Sequence, residues 1–146
     1  MKILNNSNLM QTIFEWIPEF SVGCDTIDNQ HKRLINIINR LFDAFSNAQA
    51  RNIINDIIDE LAQYAVYHFS TEETLMQQYN FDHDKYLQHK KEHQYFIQKV
   101  EEFKKRALEQ DYQLTYDIFN FLQQWLKDHI LYTDKLYSGT ICVNTD

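Results

Sequence analysis

Along most of the chain after residue 27, apolar side chains recur every three or four positions, which is the period of an amphipathic α-helix. The first stripe, for example, contains Leu34, Ile38 and Leu41. Polar stretches interrupt the pattern three times and divide it into four segments. The predicted helices extend over about residues 28–47, 51–79, 83–109 and 111–136.

Local signals place the ends of these helices. Asp28 is a candidate N-cap for the first helix and Asp25 competes with it, because an aspartate side chain accepts hydrogen bonds from the free backbone N–H groups of a first turn. Asp111 is the candidate N-cap of the fourth helix. The polar break at 80–82 separates the second helix from the third. The connections between helices are therefore short.

Four amphipathic helices joined by short loops are typical of neighbours that run antiparallel. The predicted fold is therefore all-α, an up-down-up-down four-helix bundle over residues 28–136. Residues 1–27 contain the only proline and are predicted to form an N-terminal arm that lies on the bundle, while residues 137–146 form a short tail. Because the chain shows no repeat and no low-complexity segment, residues 1–146 are predicted to be a single domain.

The composition narrows the possible functions. Only two of the 146 residues are glycine and only one is proline, which excludes glycine-rich phosphate-binding loops and turn-rich β-barrels or sandwiches. The net charge is −7, and no long run of lysine or arginine interrupts it. Because nucleic acids and anionic membranes attract basic surfaces, neither is an expected partner.

The two cysteines, Cys24 and Cys142, lie far apart and in no C-x-x-C pattern, which argues against a disulfide framework and against a zinc–thiolate site. No apolar stretch reaches the roughly 18 residues of a membrane span. The N-terminal sequence has no apolar run long enough for a signal peptide. These features predict a reduced, cytoplasmic protein.

Five of the six histidines follow the helical pattern together with two carboxylates. His68 and Glu72 are four residues apart on the second helix, so they share one helix face and can bind one metal ion. His89 and His93 have the same spacing on the third helix. A lone histidine on an apolar stripe is usually a hydrogen-bonded core residue, but histidines that coincide on several helices favour a metal site.

The predicted topology brings these side chains to one end of the bundle. That end collects the start of the first helix, with His31, and the end of the fourth, with His129 and Asp134. Imidazoles and carboxylates in an apolar interior are costly without a counter-charge, which a metal ion supplies. His129 and Asp134 would lie about 140° apart on a regular helix, so the last turn must be distorted. Asp128 is an alternative carboxylate, but it points about 100° away from His129.

Four segments carry the combined pattern: Val22-Gly23 … Ile27-Asp28-x-Gln30-His31-Lys32-x-Leu34, His68-Phe69-x-x-Glu72-Glu73-x-x-Met76, His89-x-x-x-His93-x-x-Phe96 and Trp125-Leu126-x-x-His129-Ile130-x-x-x-Asp134. Together they resemble the bacterial hemerythrins over about residues 14–136. The sequence departs from the family pattern at 79–82, where relatives often have a proline, and in the tail. Neither departure includes a ligand position.

The resemblance implies a non-haem di-iron site that binds dioxygen reversibly, with an oxo or hydroxo bridge between two iron ions. It assigns His89, His93 and His129 to one iron and His31 and His68 to the other. It assigns Glu72 and Asp134 to the bridge between the two ions. Imidazole is a suitable ligand for iron.

The implied ligand set leaves one coordination position open. Five imidazoles, four carboxylate oxygens and a solvent bridge shared by both ions fill eleven of the twelve positions of two octahedral irons. The open position falls on the iron with two histidines, and the resemblance implies that dioxygen would bind there. Leu126 is expected to lie over this position, and Trp125, with Ile35 and Phe69, is expected to keep water out of the oxygen pocket.

The predicted function is oxygen storage, delivery or sensing, without an enzymatic activity and with any protein partner for delivery unidentified. The alternatives are a di-iron enzyme acting on nitric oxide or peroxide, and a metal-free interaction bundle. Zinc is a poorer candidate metal, because a single four-coordinate ion leaves three of the seven ligands unused. Glu73 is expected to be a surface charge and His83 an exposed loop residue.

Overall fold

A computed structural model describes residues 14–46, 53–109, 113–137 and 140–141. Its four α-helices are α1 (Asp25–Ser46), α2 (Ile54–Gln78), α3 (His83–Leu108) and α4 (Leu114–Trp125). The last helix continues as a π-helical segment, Leu126–Thr133, and a 3-10 turn, Asp134–Tyr137. The predicted all-α four-helix bundle is confirmed. None of the described helices is both long and apolar enough to cross a membrane.

The first helix begins at Asp25, about three residues before its predicted start. Asp28 therefore lies inside the first turn, where it is buried. Its carboxylate accepts hydrogen bonds from the backbone N–H of Val22 at 2.9 Å and from the hydroxyl of Ser21. These bonds fasten the incoming chain to the start of α1, one turn before His31.

The segment before α1 packs on the bundle through aromatic side chains. Phe14 and Phe20 are buried in the main core, and the Phe14 ring stacks on Phe119 with 6.0 Å between ring centroids. The side-chain amide of Asn39 accepts from the backbone N–H of Phe14 and donates to its carbonyl, both at 2.9 Å. Residues 1–13 of the predicted arm and Asp111, the predicted cap of α4, lie outside the described residues.

A second apolar cluster closes the end of the bundle where α1 begins. Its buried members come from the segment before α1, from three helices and from the C-terminal turn: Val22, Cys24, Ile27, Met76, Tyr86, Tyr137 and Ile141. Cys24 is disulfide-bonded, so the expectation of a reduced cysteine is wrong at this position. Cys142, the other cysteine in the sequence, lies outside the described residues.

The connection from α2 to α3 needs no proline. Asn80 takes up a left-handed backbone conformation with φ of 56°, which asparagine tolerates better than most residues. The backbone N–H of Phe81 then donates to the carbonyl of Met76 at 2.8 Å, and that of Asn80 to Gln77 at 3.2 Å. These are the two bonds of a Schellman C-cap. Asp82 follows at once as the N-cap of α3, accepting from the backbone N–H of Lys85 at 2.9 Å.

The distortion expected between His129 and Asp134 is present, and it is a π-helix. The backbone N–H of Asp134 donates to the carbonyl of His129, five residues earlier. This i→i+5 bond widens the turn, so that residues five apart lie on one face. The predicted geometry therefore arises by widening the helix, without glycine or proline.

Replacing Asp28 by alanine is expected to destabilise the protein by about 1–3 kcal/mol, because the buried N–H of Val22 then has no acceptor. Urea unfolding measures the effect. Asn29→Ala is the matched control, since Asn29 is the exposed next residue of the same helix. Equal stability of the two variants would show that Asp28 does not anchor the chain before α1.

Candidate metal centre

The structure brings all seven predicted ligands together at one end of the bundle. None of them is more than 1% exposed to solvent: His31, His68, Glu72, His89, His93, His129 and Asp134. α1, α2 and α3 and the π-helical segment each contribute at least one histidine. Asp128, the alternative carboxylate, is instead exposed and accepts a hydrogen bond from Gln124 at 2.6 Å.

The carboxylate of Glu72 lies between two groups of imidazoles. Its Oε1 atom is 3.1 Å from Nε2 of His31 and 2.5 Å from Nε2 of His68. Its Oε2 atom is 3.4 Å from Nε2 of His93. One oxygen therefore faces each group, which is the arrangement that a carboxylate bridging two ions requires.

The two oxygens of the Asp134 carboxylate also face different groups of imidazoles. Its Oδ2 atom is 3.2 Å from Nε2 of His31. Its Oδ1 atom is 3.2 Å from Nε2 of His89 and 2.9 Å from Nε2 of His129. The Nε2 atoms of His93 and His129 are in turn 3.2 Å apart, so three imidazoles converge on one side of the carboxylates and two on the other.

The donor set fits two metal ions. Within the described chain, the ligand atoms of His31, His68 and Glu72 lie within 4.8 Å of one another, as do those of Glu72 with His89, His129 and Asp134. Glu72 belongs to both groups. Glu72 Oε2 and Asp134 Oδ2 are buried without a hydrogen bond, which is costly for a carboxylate unless a cation is nearby. Imidazole with carboxylate is a donor set that iron accepts.

In the protein without metal, the buried charges of the site favour protonation of two of the imidazoles that face the proposed ion positions. Burial lowers the pKa of His31, but Asp134 and Glu72 outweigh it and raise the pKa to about 9. Burial likewise lowers the pKa of His129, and the charge of Asp134 outweighs it and raises the pKa to about 10. Because only a neutral imidazole is a ligand, metal ions and protons compete for these two histidines.

Two of the five imidazoles also have a hydrogen-bond partner at their outer nitrogen, Nδ1. His68 Nδ1 is 2.8 Å from the amide oxygen of Gln30, and His93 Nδ1 is 2.8 Å from Oε2 of Glu73. Glu73, expected to be a surface charge, is partly exposed but also contacts a predicted ligand. No periodicity within one helix identifies this contact, because it joins α2 to α3. His83 is exposed as predicted, although it is the first residue of α3 rather than part of a loop.

Aromatic rings cover the three-histidine side of the site. Trp125 stacks on the His129 ring at 4.2 Å between centroids, and Phe69 stacks on His93 at 4.0 Å. Leu126 is buried at the start of the π-helical segment. The sequence did not identify Tyr137 as a residue near the site, because it was assigned to the C-terminal tail. Its ring is fully buried, with its centroid 5.5 Å from that of His89, and its hydroxyl makes no hydrogen bond.

Comparison with known proteins identifies the family to which this chain is similar. The family described as "Hemerythrin HHE cation binding domain" matches residues 22–141 of the chain. The chain belongs to the hemerythrin family. Hemerythrins bind dioxygen at a di-iron site with an oxo bridge, and the buried histidine and carboxylate cluster is the corresponding feature here.

Individual relatives cover most of the chain. Bacteriohemerythrin of Clostridium acetobutylicum is 36% identical over 129 residues, spanning 86% of this chain and 98% of the relative. Bacteriohemerythrin of Pseudomonas aeruginosa is 34% identical over 126 residues, spanning 86% of this chain and 80% of the relative. A crystal structure of wild-type hemerythrin superposes with a TM-score of 0.77 at 30% identity, covering 87% of this chain and 96% of that one.

The raised pKa values of His31 and His129 predict that stability falls as pH rises without metal but not with metal. In the metal-free protein, His31 and His129 stabilise the fold fully below about pH 6.5, and this contribution is lost as pH rises through about 9 and about 10. Its melting temperature is therefore expected to fall from pH 7 to pH 9. The iron-loaded protein should lack this fall, because its imidazoles are neutral ligands. Calorimetry over the same series of pH values measures the melting temperatures of the metal-free and the iron-loaded protein. An identical dependence on pH in the two forms would contradict the ligand assignment.

Proposed function

We propose that the chain binds dioxygen reversibly at a di-iron centre and does not turn over a substrate. The observation that supports this best is the division of Glu72 and Asp134, each of which directs one oxygen toward the three-histidine group and the other toward the two-histidine group. Such an unequal set would leave one iron a ligand short and so provide a position for a small molecule.

The proposed assignment gives each protein ligand one task. His89, His93 and His129 would hold the first iron, and His31 and His68 would hold the second. Glu72 and Asp134 would bridge the two ions. When bound, the di-iron centre supplies two electrons and an open position for dioxygen. Binding of the two ions would need no rearrangement of the helices, because all seven side chains already converge.

The surrounding residues keep water away from this position. We place Leu126 and Trp125 in the oxygen pocket, since both belong to the main apolar core beside the ligand cluster, where Trp125 stacks on His129, a ligand of the neighbouring iron position. Phe69 and Ile35 extend the apolar surroundings. A water-free, apolar site stabilises a neutral ligand and withholds the protons that oxidative side reactions need. This favours binding over the alternative of nitric oxide or peroxide turnover.

The remaining proposals concern partners and localisation. A net charge of −7 disfavours nucleic acid as a partner, and a protein that receives the oxygen stays unidentified. Cytoplasmic localisation stays a prediction, and the disulfide-bonded state of Cys24 counts against it, because disulfides are rare in the cytosol.

Reversible oxygen binding has a direct optical test. The protein is loaded with iron, reduced without air and exposed to oxygen, and a visible absorption band is expected to appear and to vanish when oxygen is removed. Asp134→Asn should bind fewer than two irons per chain and lose the band, because its bridging charge is gone. Asp128→Asn is the matched exposed control and should behave like the unmodified protein. Absence of a reversible band, or catalytic consumption of nitric oxide or peroxide, would contradict the proposal.

The role of Leu126 is tested against another buried leucine of the same helix. Leu126→Ala and Leu122→Ala should each cost about 2–5 kcal/mol of stability, because both side chains are buried in the core. Only Leu126→Ala is expected to speed irreversible oxidation of the oxygenated protein, by about tenfold. Stopped-flow absorbance measures this rate. Equal rates in the two variants would remove Leu126 from the oxygen pocket.

A further inference from the structure

The two proposed iron positions differ in the groups that lie near the outer nitrogen, Nδ1, of their imidazoles. On the three-histidine side, His93 Nδ1 is 2.8 Å from a carboxylate oxygen of Glu73, and His129 Nδ1 is 3.6 Å from a carboxylate oxygen of Glu92. Neither His129 nor the third imidazole of that side, His89, has a hydrogen bond at Nδ1. Two of its three imidazoles therefore face an acidic side chain.

The two-histidine side has no such charge. His68 Nδ1 is 2.8 Å from the amide oxygen of Gln30, which is a neutral group. His31 Nδ1 is buried and makes no hydrogen bond. The outer surroundings of the centre are therefore asymmetric, with negative charge behind one iron position only.

Both acidic residues are held in place while staying partly hydrated. Glu73 directly follows Glu72 on α2, and its side chain is 21% exposed. Glu92 is 28% exposed and also accepts a hydrogen bond from the hydroxyl of Thr133 at 3.1 Å. Partial exposure keeps a carboxylate ionised at low cost, whereas full burial makes the charge expensive. An ionised carboxylate can only accept hydrogen bonds, so the proton of His93 lies on Nδ1.

We propose that Glu73 is a positioning residue for the iron centre, and that it makes the three-histidine iron the more electron-rich of the two. By accepting the Nδ1–H of His93, its carboxylate fixes the imidazole in the tautomer whose Nε2 lone pair points into the site. A carboxylate behind a ligating imidazole also makes that imidazole a stronger donor. Glu92 places a second negative charge behind the same iron position, 3.6 Å from His129 Nδ1, without a hydrogen bond to that atom.

The inference rests on the proposed ligand assignment and predicts two separable effects. Orientation of His93 controls how tightly iron is held, and the negative charge of Glu73 favours the oxidised state of the centre. Loss of an outer partner typically lowers metal affinity by roughly 10- to 100-fold. Loss of the charge alone is expected to make the reduction potential of the centre more positive and its oxygen affinity lower.

Three variants separate these effects. Glu73→Leu removes both the acceptor and the charge, and Glu73→Gln keeps an acceptor oxygen but removes the charge. Glu101→Gln, an exposed position on α3, is the control with the same change in net charge. The readouts are the rate at which a chelator removes iron from the reduced protein, the reduction potential, and the melting temperature of the metal-free protein.

Glu73→Leu is expected to lose iron roughly 10- to 100-fold faster than the control. Glu73→Gln is expected to lose iron within about threefold of the control rate but to show a more positive potential. If Glu73→Leu does not fold, Glu73→Gln alone decides the effect of charge. The inference is overturned if the Glu73 variants match Glu101→Gln in iron release and potential. That result leaves reversible oxygen binding by the unmodified protein intact, so it is distinguishable from failure of the proposed function.

Discussion

The attraction between two buried carboxylates and the five imidazoles around them is the interaction on which the rest of the structure depends. Glu72 and Asp134 are fully buried, and a buried carboxylate is tolerated only beside positive charge. In the protein alone, protons on His31 and His129 provide that charge, as their raised pKa values indicate. Metal ions can replace the protons, because the same Nε2 atoms face the carboxylates.

The four-helix bundle satisfies this constraint by bringing ligands from every helix to one depth. Three local devices refine the arrangement. The buried carboxylate of Asp28 anchors the chain one turn before His31, and the left-handed conformation of Asn80 turns the chain from α2 into α3. The π-helical segment then brings Asp134 onto the face of His129. Rigid helices with fixed ends suit a site that must keep one coordination position free.

Much of this could be predicted from the sequence, because helical period and ligand spacing are local properties. The i, i+4 pairs and the position of each histidine along its helix predicted the cluster, and the five-residue spacing of His129 and Asp134 predicted a distorted turn. Its type, a π-helix, depends on packing and was not predictable. Contacts between helices were also missed: Glu73 behind His93 joins α2 to α3, and Tyr137 reaches the site from a segment interpreted as a tail.

The central claim is that Glu72 and Asp134 each join a three-histidine position to a two-histidine position. Anomalous diffraction at the iron absorption edge, from crystals of the iron-loaded protein, tests it most directly. The account predicts two iron peaks in each chain, one surrounded by His89, His93 and His129 and the other by His31 and His68, with both carboxylates touching both peaks. A single peak, or two peaks that do not share these carboxylates, would contradict it.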